Sequence, residues 1–119
     1  MESRYKILIL DDDPAILELY KEWLSQLPSK PEIQISTSGA RAMAILEAEP
    51  FRVLICDLKM PKMDGLQVLS IVRRRFPELR TVVMTGVQDE EFRSRAYALG
   101  VDLFGIKLCP DHGITAAEP

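Results

Sequence analysis

Hydrophobic positions in this chain change period repeatedly, from unbroken runs to one residue in three or four and back again. Ile7 to Leu10, preceded by Tyr5 and Lys6, is apolar throughout, which a strand buried on both faces requires and which predicts β-structure over Lys6 to Leu10. Pro14 suits a first helical turn, with Asp13 in place to cap it. Ile16, Leu17, Tyr20, Trp23, Leu24 and Leu27 then recur at helical spacing and form one apolar stripe, which Pro28-Ser29-Lys30-Pro31 brings to an end. Glu32 to Ser36 alternates polar and apolar, as a short edge strand does.

The alternation continues. Ser38 can cap a helix whose inner face is Ala42, Met43, Ile45 and Leu46 and which ends at Pro50. Phe51 to Cys56 reads as a third strand, followed after Asp57 by a loop containing Pro61. Asp64 to Phe76 reads as a helix with Leu66, Val68, Leu69 and Val72 inward, closed by Pro77. Arg80 to Thr85 is a fourth strand, and Asp89 to Leu99 a weaker amphipathic helix using Phe92, Ala96 and Leu99, stopped by Gly100. Val101 to Lys107 is a fifth strand, and no internal repeat or low-complexity tract interrupts the series.

Strands that alternate with helices of about ten to fifteen residues imply parallel βαβ units, hence an α/β fold. In such a sheet all strand carboxyl ends share one edge, the edge at which ligands bind. Asp11, Asp12, Asp57, Thr85 and Lys107 all fall at or just past predicted strand ends. Three carboxylates converging on one point repel each other, an arrangement that a divalent cation makes tolerable.

Composition narrows the reading. A chain of 119 residues is one domain with room for a real core, and 47% hydrophobic with 28% charged residues is ordinary for a globular protein. A net charge of −3 offers no electrostatic basis for nucleic-acid or membrane binding. The basic run Arg73-Arg74-Arg75 reads as a solvated helix end complementing the dipole, the alternative being a docking patch for an acidic partner. No apolar stretch is long enough to span a membrane, and no signal-peptide core precedes the first strand. Cys56 and Cys109 have neither ligand spacing nor a disulfide pattern and read as free thiols, so a cytoplasmic location is expected. His112, the single histidine, lacks nearby ligand partners.

Four segments together resemble the receiver domain of two-component response regulators: Ile9-Leu10-Asp11-Asp12-Asp13-Pro14, then Asp57-Leu58-Lys59-Met60-Pro61-Lys62-Met63-Asp64-Gly65, then Met84-Thr85-Gly86, then Lys107. The resemblance runs from residue 5 to residue 107. It implies a flavodoxin-like, doubly wound, five-stranded parallel sheet of order 2-1-3-4-5. It also implies that Asp57 accepts a phosphoryl group from a sensor histidine kinase or phosphotransfer protein. Asp12, Asp57 and the backbone carbonyl of Lys59 would hold one Mg²⁺, with Asp11 acting through water. Thr85 would donate its hydroxyl to a phosphoryl oxygen and Lys107 would place a positive charge beside another. Asp13 stands where the family more often has glutamate and reads as a cap as readily as a metal residue. Phe104, three positions before Lys107, stands where the family has a switch aromatic; a permanently buried core ring is the equal alternative.

The chain also departs from the family. Leu108 follows Lys107 where proline is usual, so a trans bond and a displaced lysine are expected. The family ends in a fifth amphipathic helix, but Cys109-Pro110-Asp111-His112-Gly113-Ile114 shows no apolar stripe. The expected organisation is therefore a receiver over residues 1–107 with four clear helices and an irregular tail over 108–119, with the fifth helix missing or truncated. Part of one sheet face then lacks cover, so either the chain is part of a longer protein or it associates with itself as a homodimer. Two alternatives remain beside the phosphorylatable receiver. One is a pseudo-receiver, an interaction module not switched by phosphate. The other is a Mg²⁺-dependent aspartyl phosphatase, which would need an aspartate where Lys59 stands.

Overall fold

The computed structural model describes residues 5–57, 59–60, 63–85 and 90–106. Strand β1 is Lys6–Leu10 and helix α1 is Pro14–Leu24; β2 is Glu32–Ser36 and α2 is Gly39–Ala48. Strand β3, Val53–Asp57, leads into a two-stranded antiparallel ribbon, β4 (Lys59–Met60) and β5 (Met63–Asp64). Helix α3 is Gly65–Arg75, β6 is Arg80–Thr85, α4 is Glu90–Ala98 and β7 is Leu103–Ile106. The five main strands form one parallel sheet in the order β2-β1-β3-β6-β7.

Period-two alternation in β1 shows why both faces of the sheet are apolar. Leu8 and Leu10 join Leu54, Cys56, Ala42, Leu46, Val68 and Val72 under α2 and α3. Ile7 and Ile9 point the other way and pack with Ile16, Leu17 and Tyr20 of α1. A third cluster, Leu66, Leu69, Val83, Ala96 and Val101, ties α3 and α4 to β6.

The helix termini follow local chemistry. Asp13 caps α1, its carboxylate accepting from the Ala15 amide at 2.9 Å ahead of Pro14 at the first position. Ser38 caps α2 by accepting from the Arg41 amide at 3.3 Å. Gly100, at φ +92°, closes α4: its amide donates to the Tyr97 carbonyl and the Val101 amide to the Ala96 carbonyl, the pairing of a Schellman motif. At the end of α3, Arg73 donates to the carbonyls of Pro77 and Leu79, and Arg75 pairs with Glu47. The basic run therefore ties α3 to its surroundings as well as meeting solvent.

Several boundaries differ from the sequence expectation. The stripe on α1 stops at Leu24, because Pro28 disfavours helical geometry at Leu27 and the Ser25 hydroxyl turns back to the Glu22 carbonyl. Trp23 and Leu27 are consequently 37% exposed, where the pattern placed them inward. Strand β3 takes in Asp57 and begins at Val53; Phe51 instead packs its ring against the α2–α3 core. The expected loop after Asp57 contains the β4–β5 ribbon. Strand β7 starts at Leu103, because Val101 is committed to the α4 cap. Lys107 and the tail over 108–119, with the expected loss of a fifth helix, lie outside the described residues.

Gly100 offers a direct test of this account. An alanine there must adopt a left-handed backbone, and its Cβ would lie 3.0 Å from Nε of Arg73. Gly100→Ala is expected to lower stability by roughly 1–2 kcal/mol in urea unfolding. An unchanged midpoint would remove the assigned role of this cap.

Candidate functional site

The site is assembled by strand ends. Asp11 directly follows β1, Asp57 is the last residue of β3 and Thr85 the last of β6, so parallel pairing brings all three to one sheet edge. Ligand oxygens of Asp11, Asp12 and Asp57 lie within 4.8 Å of one another. Asp11 and Asp57 are buried, whereas Asp12 is exposed. The cluster thus opens to solvent on one side and rests on the core on the other.

Local hydrogen bonds hold the loop in shape. The Asp11 amide donates to the Ser36 carbonyl at 3.2 Å, extending the β1–β2 pairing by one residue. The Asp11 carboxylate accepts from the Asp13 amide at 2.9 Å, and Asp13 in turn caps α1. Asp11 is therefore joined to the first turn of α1 through a single residue, which fixes the direction in which the chain leaves the strand. Asp13 serves as a helix cap, the simpler of its two expected roles.

Beneath the carboxylates sits Cys56. Its thiol donates to the Asp57 carbonyl at 3.3 Å, and burial first, then the charges of Asp57 and Asp11, push its ionisation far above the ordinary thiol range. The thiol stays neutral and inert, a small filler under a negatively charged site. Sequence pattern placed Cys56 in an apolar run but gave no signal of this environment, because complete burial of the thiol beside two carboxylates is decided by packing. Ser36 was likewise visible only as a strand end, and its carbonyl's role appears only once β2 is aligned with β1.

The remaining expected site residues are placed as follows. Lys59 lies in β4, two residues beyond Asp57. Thr85 is paired with Ile106, and Phe104 is in β7 opposite Val83. Lys107 lies outside the described residues. Three carboxylates offer the hard oxygen donors that Mg²⁺ takes, and its octahedral shell spaces such atoms at about 3–4 Å. The donor set of the cluster fits a cation of that kind.

The chain matches the family of response regulator receiver domains over residues 7–117. It is 32% identical over 103 residues to the probable chemotaxis protein CheY of Rhizobium etli, a match covering 84% of this chain and 78% of that protein. A solved CheY-like response regulator receiver domain protein from Methanospirillum hungatei superposes with a TM-score of 0.81 at 30% identity, covering 88% of this chain and 82% of that one. The chain is also 26% identical over 89 residues to the probable C4-dicarboxylate response regulator DctR of Bacillus subtilis, covering 75% of this chain but 39% of that protein. Among the described residues no helix is long and apolar enough to cross a membrane.

Charge repulsion in the cluster predicts opposite effects with and without cation. In a chelator, Asp12→Asn should melt at a higher temperature than the natural chain, because one of three like charges is gone. In excess Mg²⁺ the order should reverse, since the natural chain gains stability from binding. Thermal melts that shift equally for both chains on adding Mg²⁺ would show that Asp12 holds no metal. Asp13→Ser should keep both the melting temperature and the Mg²⁺ shift, while Asp13→Ala should cost about 1 kcal/mol and leave the shift intact.

Proposed function

The chain belongs to the family of response regulator receiver domains, signalling modules and not enzymes in their own right, and from that premise we propose that Asp57 is its phosphoacceptor. The observation that supports this reading is the buried Asp57 carboxylate at a sheet edge with Asp11 and Asp12 beside it. A carboxylate oxygen of Asp57 attacks the phosphorus of a phosphohistidine; the O–P bond forms as the N–P bond breaks, and the imidazole leaves with the electron pair. The donor is a sensor histidine kinase or a phosphotransfer protein.

Asp12 and Asp57, with the Lys59 carbonyl, are the groups proposed to hold Mg²⁺, and Asp11 acts through water. When bound, Mg²⁺ supplies positive charge that offsets repulsion between the carboxylates and the incoming phosphoryl oxygens. Thr85 contributes a hydroxyl donor at the end of β6, and Lys107 a compact positive charge just beyond β7. The product carries about −1.5 to −2 charges and three strong acceptors at the sheet edge. Movement of Thr85 toward that group would free space beside β7 for Phe104, whose ring has no hydroxyl, so the coupling would rest on packing alone. The modified chain shifts an existing equilibrium between two conformations. The output is proposed to belong to a larger assembly, as this chain spans 39% of the Bacillus regulator's length.

Intact mass after incubation with a small phosphodonor such as acetyl phosphate tests the central step. A gain of one phosphoryl group is expected with Mg²⁺, with none in a chelator and none in Asp57→Asn. Thr85→Ala should slow the gain on the order of 10²-fold. A folded chain that gains no phosphoryl group under any condition would favour the pseudo-receiver, a reading that Leu108 in place of the usual proline already suggests. For the switch, Phe104→Ala should weaken phosphorylation-dependent association with a partner; unchanged association would leave Phe104 as a core aromatic.

A further inference from the structure

Glycine inside a strand calls for a reason, because it has no side chain to pack and gives up more chain freedom on folding than any other residue. Gly105 is the third residue of β7 and is buried. Its backbone does not supply the reason: Gly100 alone among the described glycines has a positive φ, so alanine is conformationally acceptable at Gly105. The reason is steric. A Cβ added there would lie 2.6 Å from the Met84 sulfur and 3.1 Å from its methyl carbon, so Met84 fills the place of the missing side chain.

Met84 stands between two partners. It is paired with Gly105 on β7 and with Asp57 on β3, and paired residues in neighbouring strands project from the same face. Those strands lie about 4.8 Å apart, within reach of a methionine side chain, which is unbranched and can lean to either side. Here it leans over β7, away from Asp57. On the β3 side the same face already carries Ile55, two residues before Asp57.

We propose that Gly105 is a positioning residue for phosphoryl transfer: the space it leaves on β7 takes the Met84 side chain and keeps the β6 flank of Asp57 clear for the incoming phosphoryl group. This role rests on Asp57 being the phosphoacceptor, and it adds a residue that touches neither the metal nor the phosphoryl group. Filling the space with one methyl group reverses the lean. Met84 then turns toward β3 and narrows the approach to the Asp57 carboxylate, which already has Asp11 and Asp12 close beside it. The fold should accept such a change, because the atoms in conflict are the far end of a flexible side chain and not backbone.

Gly105→Ala, alone and combined with Met84→Val, tests this role in two measurements. In NMR of the unphosphorylated chain with labelled methionine methyl groups, the Met84 methyl should show close contacts to the Gly105 α-protons. In Gly105→Ala the contacts should pass to the Asp57 β-protons, with an unchanged circular dichroism spectrum. With acetyl phosphate and Mg²⁺, Gly105→Ala should gain its phosphoryl group about 10- to 100-fold more slowly, the cost of misplacing a reacting group by about 1 Å. Adding Met84→Val shortens the obstructing side chain and should return the rate toward that of the natural chain. A natural chain that gains no phosphoryl group overturns the reading of Asp57 and this role with it. When the natural chain reacts, the role alone fails if Gly105→Ala reacts as fast or loses its fold. It fails equally if Met84→Val brings no recovery, or if the Met84 methyl stays clear of Asp57.

Discussion

Like-charge repulsion between Asp11, Asp12 and Asp57 is the constraint around which the rest of this structure is organised. Three carboxylates within 4.8 Å oppose folding unless positive charge joins them, yet two of them are buried at the top of the core. The fold accepts that cost because parallel pairing leaves no other place for the ends of β1 and β3. It then limits the disorder repulsion would cause: the Asp13 amide holds Asp11, and Asp13 holds the first turn of α1. Repulsion is thereby converted into a preorganised demand for a cation and for whatever the cation brings.

What lies under the carboxylates suits this role. Leu10, Leu54 and Cys56 pack in the buried core beneath them, and the Cys56 proton is kept in place by burial and by the charges above it. On the solvent side Asp12 is exposed.

The uneven faces of the sheet add a second theme. The face under α2 and α3 is closed, and any change at Asp57 reaches it through tightly packed side chains. On the opposite face, among the described residues, Val53, Ile55, Val82 and Met84 are half-buried, and Val53, Ile55 and Met84 pack with the cluster under α1. Met84 links the two, being paired with both Asp57 and Gly105 across neighbouring strands.

Periodicity alone determined much of this protein. The unbroken run before Asp11, the alternation in Glu32 to Ser36 and the apolar centre of Arg80 to Thr85 delimit their strands to the residue, because burial on one or two faces dictates a side-chain period directly. The caps at Asp13, Ser38 and Gly100 were equally legible, since each depends on the chemistry of one residue and its immediate backbone. The acidic residues and their strand-end positions could be read as well, and with them the edge at which chemistry would occur. Tertiary structure decided what local pattern cannot encode. It ended α1 before Leu27 and set Asp57 inside β3. It placed a neutral thiol beneath the carboxylates and, among the described residues, left Val82 half-buried and Leu103 exposed while their neighbours were sealed. Those outcomes depend on register between strands and on which helix reaches which part of the sheet. Such contacts join residues far apart in the chain, whereas a hydrophobic period records only that a side chain prefers to be buried and not what will cover it.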